Sequence, residues 1–404
     1  MFANPDRTRC GTAGSPRGYD LPLHVLVAPA SLKECLSAAE AARALAAGAR
    51  RAGAEATELP LADGGRGTTE CIVQALGGRI VPVPVTGPLG EPMTAALGLI
   101  EGGETAVFEM ASASGLALVP PGRRNAMLAT TRGTGDLLRA ALDAGARRLF
   151  MGIGDSATSD GGAGLAQALG FHLLDGRGEE IGPGAEGLAG LARIDDSEAD
   201  PRLAETRLSV ACDVDNLLLG PRGAARVFSP QKGAAPQEVE RIEAALARFA
   251  DLLERTADID VRSLPGGGAA GGLGAGAVAL LGAHLVPGAE WILDCVNLEA
   301  HLARADLVLT AEGRFDAQSL RGKAPMALAR RAGALGVPCI VIPGSLGPGY
   351  EPALEQGVTG IFPLVREDVT LAEAMARADE LLGARAEEAV RRSAATHKGD
   401  AQAR

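Results

Sequence analysis

Apolar strands and Ala-rich helices alternate at both ends of this chain, and this alternation limits the folds open to it. Near the N-terminus, residues 24–28 and 56–61 are predicted strands, and the Ala-rich stretch 36–51 between them is a predicted helix. Strand, helix, strand at this spacing predicts a βαβ unit with two parallel strands. The C-terminal third repeats the pattern, with predicted strands at 306–310, 339–342 and 360–365 and predicted helices at 324–333 and 370–393.

The middle of the chain has shorter strands and turns richer in Gly and Pro. At 404 residues the chain also exceeds one ordinary hydrophobic core. We therefore predict an α/β fold of two domains. A discontinuous, Rossmann-like parallel-sheet domain comes from both chain ends (22–75 plus 289–395), and a large inserted α/β domain occupies 76–288. The segments 1–21 and 396–404 are predicted to be tails, the first of them flexible. Ligands of such folds bind beyond the carboxyl ends of strands, often between domains.

Composition excludes several classes of protein. Hydrophobic residues make up 47% of the chain and charged residues 22%, which is typical of a soluble globular protein. The net charge of -11 argues against non-specific nucleic-acid binding. The six cysteines are scattered without a C-x-x-C pair, which favours reduced thiols over a zinc site or a disulfide scaffold. With no long apolar run and a polar N-terminus unlike a signal peptide, we expect a cytoplasmic protein without a membrane partner.

A glycine-rich segment, residues 152–164, is the strongest local indication of function. It follows the apolar run 148–151 and leads into an Ala/Leu-rich helix, so it is predicted to form a strand–loop–helix unit. Such a loop directs backbone N–H groups at one point and suits an anion such as phosphate. A tight turn in an Ala/Gly-rich protein remains the alternative.

The familiar phosphate-binding motifs do not fit. Gly322-Lys323 resembles the end of a P-loop, but Ala317 and Ala324 replace its first glycine and its Ser/Thr. The G-x-G-x-x-G pattern at 266–271 follows no strong strand and is interpreted as chance.

Acidic and basic residues in glycine-rich turns remain as candidates for the chemistry. Asp63 follows a predicted strand, and Asp213 and Asp215 alternate after another, which would place both carboxylates on one face and suits Mg²⁺; an Asx-rich turn is equally compatible. Lys232 lies in a turn, and segment 312–316 with Lys323 follows a further strand. Acids for a metal and cations for phosphate are the requirements of phosphoryl transfer.

These motifs, taken in order, resemble the bacterial glycerate kinases of the first type, which transfer the γ-phosphoryl group of ATP to glycerate. The resemblance runs from about residue 23 to the last helix. Its matching segments are 28–33, 60–68, 113–116, 130–135, 152–162, 212–216, 230–234, 270–274 and 312–318.

The resemblance implies roles for individual residues, with ATP and Mg²⁺ as cofactors. Asp63 is the expected base, with Asp160 as runner-up and Lys33 as a third catalytic residue. The expected ligands of a small anionic 2-hydroxy acid are Ser31, Arg66, Arg132 and Arg314. ATP phosphates are expected on Ser156, Thr158, Gly161, Gly162, Lys232 and Lys323, and Mg²⁺ near Asp213, Asp215 and Asp316. The oligomeric state, monomer or homodimer, stays open.

Several positions depart from the family pattern. Ala30 stands where an Asp is usual, Arg66 where a Glu is usual, and Arg132 where a Tyr is usual; Glu34, Asp155 and Ser159 also differ. Two added guanidinium groups favour a substrate more anionic than glycerate, such as a phosphonate or dicarboxylate analogue. Drift on a solvated loop is one alternative, and a catalytically impaired protein that binds nucleotide or metabolite is another.

Overall fold

The computed structural model describes residues 22–32, 35–62, 65 and 67–402. The predicted tail 1–21 lies outside them. The strands are β1 (His24–Val27), β2 (Glu55–Glu58), β3 (Arg79–Thr86), β4 (Pro92–Ile100), β5 (Thr105–Glu109), β6 (Arg148–Gly152), β7 (His172–Asp175), β8 (Leu191–Asp195), β9 (Arg207–Ala211), β10 (His284–Val286), β11 (Leu307–Thr310), β12 (Arg314–Phe315), β13 (Cys339–Val341), β14 (Ser345–Leu346) and β15 (Val358–Ile361). The helices are α1 (Ala38–Arg51), α2 (Thr68–Leu76), α3 (Ala111–Ser114), α4 (Arg132–Asp143), α5 (Ala163–Ala168), α6 (Gly184–Leu188), α7 (Ala224–Phe228), α8 (Pro236–Ala257), α9 (Ala269–Leu281), α10 (Gly288–Cys295), α11 (Leu298–Leu302), α12 (Ala324–Ala334), α13 (Leu371–Ala376) and α14 (Ala378–Gln402).

The first sheet is assembled from both ends of the chain. Its strand order is β15-β13-β11-β1-β2, and every neighbouring pair is parallel. Val25 in β1 lies between Leu307 in β11 and Ala56 in β2. The predicted βαβ unit and the discontinuous parallel sheet are confirmed.

Helix α1 shows how local sequence fixes this half of the molecule. Ser37 caps its N-terminus in a reciprocal capping box with Glu40. Its buried face is mostly alanine, with Leu45 at the centre, and packs against α14. A Cβ at Gly48 would overlap the carbonyl oxygen of Gly383, so small residues set the close approach of these two helices.

The second sheet uses only strands between residues 79 and 286. Its order is β10-β9-β6-β5-β4-β3, parallel from β10 to β5 and antiparallel at β4 and β3. A small antiparallel pair, β7 and β8, lies outside it. This arrangement matches the α/β character predicted for the inserted segment.

An apolar junction joins the two halves. Helix α2 packs over β4 and β5 of the second sheet, although all of it except Leu76 belongs to the segment 22–75 predicted for the first domain. Nearby, the ring of Trp291 in α10 stacks on Phe150 in β6, with centroids 3.4 Å apart and planes 6° from parallel. The domain boundaries at 75/76 and 288/289 stay a prediction.

Two segments near the C-terminus differ from their predicted form. The strand predicted at 360–365 runs instead from Val358 to Ile361. Backbone hydrogen bonds to the neighbouring segment nevertheless continue beyond it, since the N–H groups of Phe362 and Leu364 donate to the carbonyl oxygens of Val341 and Pro343 at 2.9 Å. Helix α14 continues to Gln402, through most of the predicted tail at 396–404. Among the described residues, no helix combines the length and apolar character needed to cross a bilayer.

Candidate active site

A cavity of about 450 Å³ opens at the carboxyl edge of the first sheet. The chain runs from β1 to β2 in one direction and from β11 to β13 and β15 in the other. The loops after β1 and β11 therefore diverge at a topological switch point, which is the usual ligand site of an open parallel sheet.

The cavity has a polar side and an apolar side. Polar side chains come from Ser31, Glu312, Arg314, Gln318, Lys323 and Ser345. Leu32, Leu364, Leu371 and Met375 are among its apolar lining. Three residues predicted from sequence, Ser31, Arg314 and Lys323, thus share one cavity.

Glu312 is the most unusual group in this cavity. It directly follows Ala311 at the end of β11 and is only 6% exposed. Its Oε2 lies 3.6 Å from the Nζ of Lys323, whereas its buried Oε1 has no hydrogen-bond partner among the described residues. Burial raises the pKa of Glu312, whereas the positive charge of Lys323 and the nearby hydroxyl of Ser319 act in the opposite direction. Sequence reasoning assigned Glu312 no role, although its place after a central parallel strand was a usable signal.

Arg314 and Asp316 interact with each other. The Nε of Arg314 is 3.2 Å from Oδ2 of Asp316. The other carboxylate oxygen of Asp316 accepts the backbone N–H of Gln318 at 2.9 Å. Asp316 therefore orients Arg314 and closes a local turn.

The glycine-rich loop after β6 lies at the carboxyl edge of the second sheet and is buried. Lys232, 2% exposed, inserts into it and donates from Nζ to Ser156 Oγ at 2.8 Å and to the carbonyl oxygen of Thr158 at 2.6 Å. Burial lowers the pKa of Lys232 from 10.5 to about 7, opposed by the charge of Asp160. The same loop is packed from outside, since a Cβ at Gly161 would lie 2.7 Å from the ring of Phe249.

Asp160 is fully buried, and its carboxylate accepts hydrogen bonds within and next to this loop. Its carboxylate accepts the N–H and the hydroxyl of Thr131, at 2.8 and 2.9 Å, and the N–H groups of Gly162 and Gly164, at 3.2 and 3.3 Å. Burial raises the pKa of Asp160, and these hydrogen bonds oppose the rise. With both oxygens engaged, Asp160 ties the loop to the start of α4. A Cβ at Gly162 would in turn lie 2.8 Å from Leu273.

The three acids predicted to bind Mg²⁺ do not form a common ligand set. Asp213 accepts the backbone N–H of Gly288 at 2.8 Å, and Asp215 lies 3.4 Å from Arg222 on the exposed surface. Strand β9 ends at Ala211, so the alternation expected of Asp213 and Asp215 does not apply. Within the described part of the chain, no group of three or more His, Cys, Asp or Glu could hold a metal ion.

Arg132 lies away from the cavity described above. As the first residue of α4 it lines a second cavity, of about 470 Å³, with Thr130, Gln167, His172 and Glu180 among its neighbours. The two cavities share no lining residue. The structure therefore does not bring Arg132 together with Arg314.

Lys33, Asp63 and Arg66 lie outside the described residues, but Gly67 and the first turn of α2 are described. Glu109, at the end of β5 and 4% exposed, accepts the N–H of Gly67 at 2.9 Å and that of Thr69 at 3.2 Å.

Burial raises the pKa of Glu109 to about 7. The contact fixes the backbone at Gly67 and in the first turn of α2, four residues after Asp63 in the sequence. The sequence analysis assigned Glu109 no role, although a single acid directly after the apolar run 106–108 could have indicated one.

Comparison with known proteins identifies the family. A model described as the glycerate kinase family matches residues 25–394. The chain belongs to the glycerate kinase family. The resemblance drawn from its motifs is therefore confirmed, and this glycerate kinase family member is a kinase.

Individual relatives match this chain over nearly its whole length. Glycerate kinase from Bacillus subtilis (strain 168) is 48% identical over 362 residues, covering 89% of this chain and 95% of the relative. Glycerate 2-kinase from Escherichia coli (strain K12) is 44% identical over 354 residues, covering 87% and 93%. A crystal structure from Salmonella typhimurium LT2, provisionally named glycerate kinase 2, superimposes with a TM-score of 0.81 at 46% identity, covering 95% of this chain and 100% of that one.

Proposed function

We propose that this kinase transfers the γ-phosphoryl group of ATP to a hydroxyl of glycerate or a closely similar 2-hydroxy acid. The observation that carries the proposal is the cavity at the switch point of the first sheet, lined by Ser31, Arg314 and Lys323. Curated relatives named glycerate kinase, 42–48% identical to this chain, support the choice of acid.

The described cations suit a substrate and a co-substrate that are both anionic. Arg314 can hold a carboxylate through two parallel hydrogen bonds, and Ser31 can add a third contact. Lys323 supplies a compact positive charge for phosphate oxygens. Aligning a hydroxyl with the γ-phosphorus and neutralising charge on the transferred group are the main tasks of such an enzyme.

Asp63 stays the proposed general base, and Lys33 is a second proposed catalytic residue. Asp160, the runner-up, has both oxygens occupied by internal hydrogen bonds, which favours Asp63. Asp63→Asn should abolish turnover and leave the circular dichroism spectrum unchanged. Near-normal turnover in that variant would exclude Asp63 as the base.

Mg²⁺ is proposed to enter bound to ATP, because this ion is commonly held by phosphate oxygens, water and one or two carboxylates. Asp213, Asp215 and Asp316 do not fit as a shared site, so no step is assigned to a metal held by them. ATP phosphates on the buried loop residues Ser156, Thr158, Gly161 and Gly162, or on Lys232, would require that loop to open.

Glycerate itself is favoured over a more anionic analogue. Of the two added guanidinium groups, Arg132 lines a cavity separate from that of Arg314 and Lys323. Only Arg66 is left to attract a second anionic group.

The test is release of ADP from Mg-ATP with D-glycerate offered beside phosphonate and dicarboxylate analogues, and with no acid as the blank. Efficient turnover of D-glycerate supports the proposal. Turnover confined to a doubly anionic analogue would replace glycerate with that substrate. Nucleotide binding without turnover of any acid would contradict the proposal and favour a binding protein.

A further inference from the structure

The unpaired oxygen of Glu312 indicates that the cavity is built for a ligand that donates a hydrogen bond. The Glu312 side chain is 8% exposed and lines the cavity, and its Oε1 has no partner within the described part of the chain. A buried acceptor without a donor costs about 1–3 kcal/mol, so most such atoms are satisfied in native proteins. A hydroxyl group of a bound ligand would satisfy this one.

The apolar side of the cavity is too large and too exposed for a three-carbon acid. Leu371 and Met375, from α13, are 56% and 40% exposed although both line the cavity, and Leu364 lies beside them. A charged hydroxy acid gains nothing from such a surface, whereas a flat heterocyclic ring gains by covering it.

Lys323 gives the same cavity a cationic end. Its ammonium group is partly exposed, 37% for the side chain, and immediately precedes α12. These three features correspond to the three parts of a nucleotide. The apolar wall suits the base, the buried acceptor suits a ribose hydroxyl, and the accessible ammonium group suits the phosphates.

We propose that this cavity is the nucleoside site: the base lies against Leu371 and Met375, and Glu312 Oε1 accepts a hydrogen bond from a ribose hydroxyl. This inference rests on the proposed kinase function. It places the ATP used by that kinase in the cavity at the carboxyl edge of the first sheet. Glu312 is thus a ligand-binding residue, and Lys323 lies on the path of the phosphates.

Binding of ATP, 2′-deoxy-ATP and 3′-deoxy-ATP, measured by calorimetry without any acid, tests the proposal. The wild type should bind one deoxynucleotide about tenfold more weakly than ATP, the scale of a lost hydrogen bond to a charged group. Glu312→Ala should bind ATP as weakly as that deoxynucleotide. Glu312→Gln, which keeps an acceptor, should retain part of the discrimination.

Two further variants separate the base from the ribose. Leu371→Ala should weaken binding of ATP and both deoxynucleotides alike, because it removes part of the apolar wall and adds no charge. Glu367→Gln, on the exposed loop just after Leu364, is the matched control and should bind all three as the wild type does.

The outcomes distinguish this inference from the proposed function. Equal binding of all three nucleotides by the wild type, or an effect of Glu312→Ala on the KM of the acid alone, would overturn the nucleoside site while leaving the kinase intact. Failure of the wild type to bind any nucleotide or to turn over any acid would overturn both.

Discussion

Lys232 and Glu109 are buried side chains whose pKa values converge near neutrality from opposite sides. For Lys232 the pKa falls from 10.5 to about 7, and for Glu109 it rises from 4.5 to about 7. In each case burial disfavours the charged form. The protonation state of each group therefore differs between the folded and unfolded chain over a definite range of pH, which makes stability depend on pH.

Lys232→Met should reveal the cost of burying the ammonium group. The unfolded chain binds the proton more strongly, so the contribution of Lys232 to stability is present above its unfolded pKa and is lost as pH falls toward about 7. The stability of the wild type relative to the variant should therefore drop as pH falls from 10.5 to about 7, as measured by urea unfolding. Arg255→Met, at an exposed site, is the control. A difference between wild type and Lys232→Met that does not change with pH would contradict the assignment.

Glu109→Gln should destabilise the start of α2. The amide replaces one acceptor oxygen with a donor that faces an N–H group, at a cost of about 1–3 kcal/mol. Because the pKa of Glu109 is raised, its contribution is fully present below about pH 4.5 and is lost as pH rises toward about 7. The deficit of the variant in urea unfolding should shrink over that range. Glu355→Gln, at an exposed site outside α2, should show neither effect. A pH-independent deficit in Glu109→Gln would disprove this account.

The sequence implied Ser31, Arg314 and Lys323 as site residues through its resemblance to the glycerate kinases, and all three line one cavity because each follows or closely succeeds a strand of one parallel sheet, whose carboxyl ends meet. It could not identify the burial of Lys232, since a lysine in a glycine turn is ordinarily exposed. Nor could it separate Arg132 from the others, because proximity across different loops depends on packing between elements.

At the scale of elements, two glycine runs far apart in sequence pack against each other. The N–H of Gly161, in the loop after β6, donates to the carbonyl oxygen of Gly271 near the start of α9 at 3.0 Å. Sequence analysis interpreted the first run as a phosphate loop and the pattern around the second as chance. Their mutual packing has no local signature, because it depends on backbones approaching more closely than side chains would allow.

Gly271→Ala should be far more damaging than Gly282→Ala. Both glycines have positive φ, +69° and +62°, and both belong to the α9 region. A Cβ at Gly271 would overlap the carbonyl oxygen of Thr158, whereas one at Gly282 meets nothing within 4 Å. Both variants carry backbone strain of about 1–2 kcal/mol, and only Gly271→Ala adds overpacking of about 1–3 kcal/mol. Thermal unfolding of the two variants measures the difference in stability. Equal destabilisation would show that the backbone around Thr158 shifts to accommodate the added Cβ at little cost.

At the scale of the whole molecule, the junction between the two sheets contains the single tryptophan. Trp291 stacks on Phe150, which is 1% exposed, within an apolar cluster shared by α2, α10 and the second sheet. The sequence predicted two α/β units and their interleaving, since strand and helix periodicity is local. The way the units pack is a property of surfaces distant in sequence, and it was not predictable.

Phe150→Leu should loosen this junction. Loss of the ring removes the stack and part of the packing, and we expect a destabilisation of about 1–3 kcal/mol. Native Trp291 fluorescence should shift to longer wavelength as water reaches the indole. Phe228→Leu, in α7 away from Trp291, should leave the emission unchanged. An unshifted spectrum in Phe150→Leu would mean that the indole is shielded by other groups.

The interleaved order of strands has a consequence during synthesis on the ribosome. All strands of the second sheet lie between residues 79 and 286, so that sheet can form before β11 and the later strands are translated. Strands β1 and β2 emerge first, yet their partner β11 begins only at Leu307. The nascent chain must therefore hold an unfinished parallel edge near its N-terminus until more than three-quarters of it has been made, and chaperones that bind exposed apolar strands have that interval in which to act.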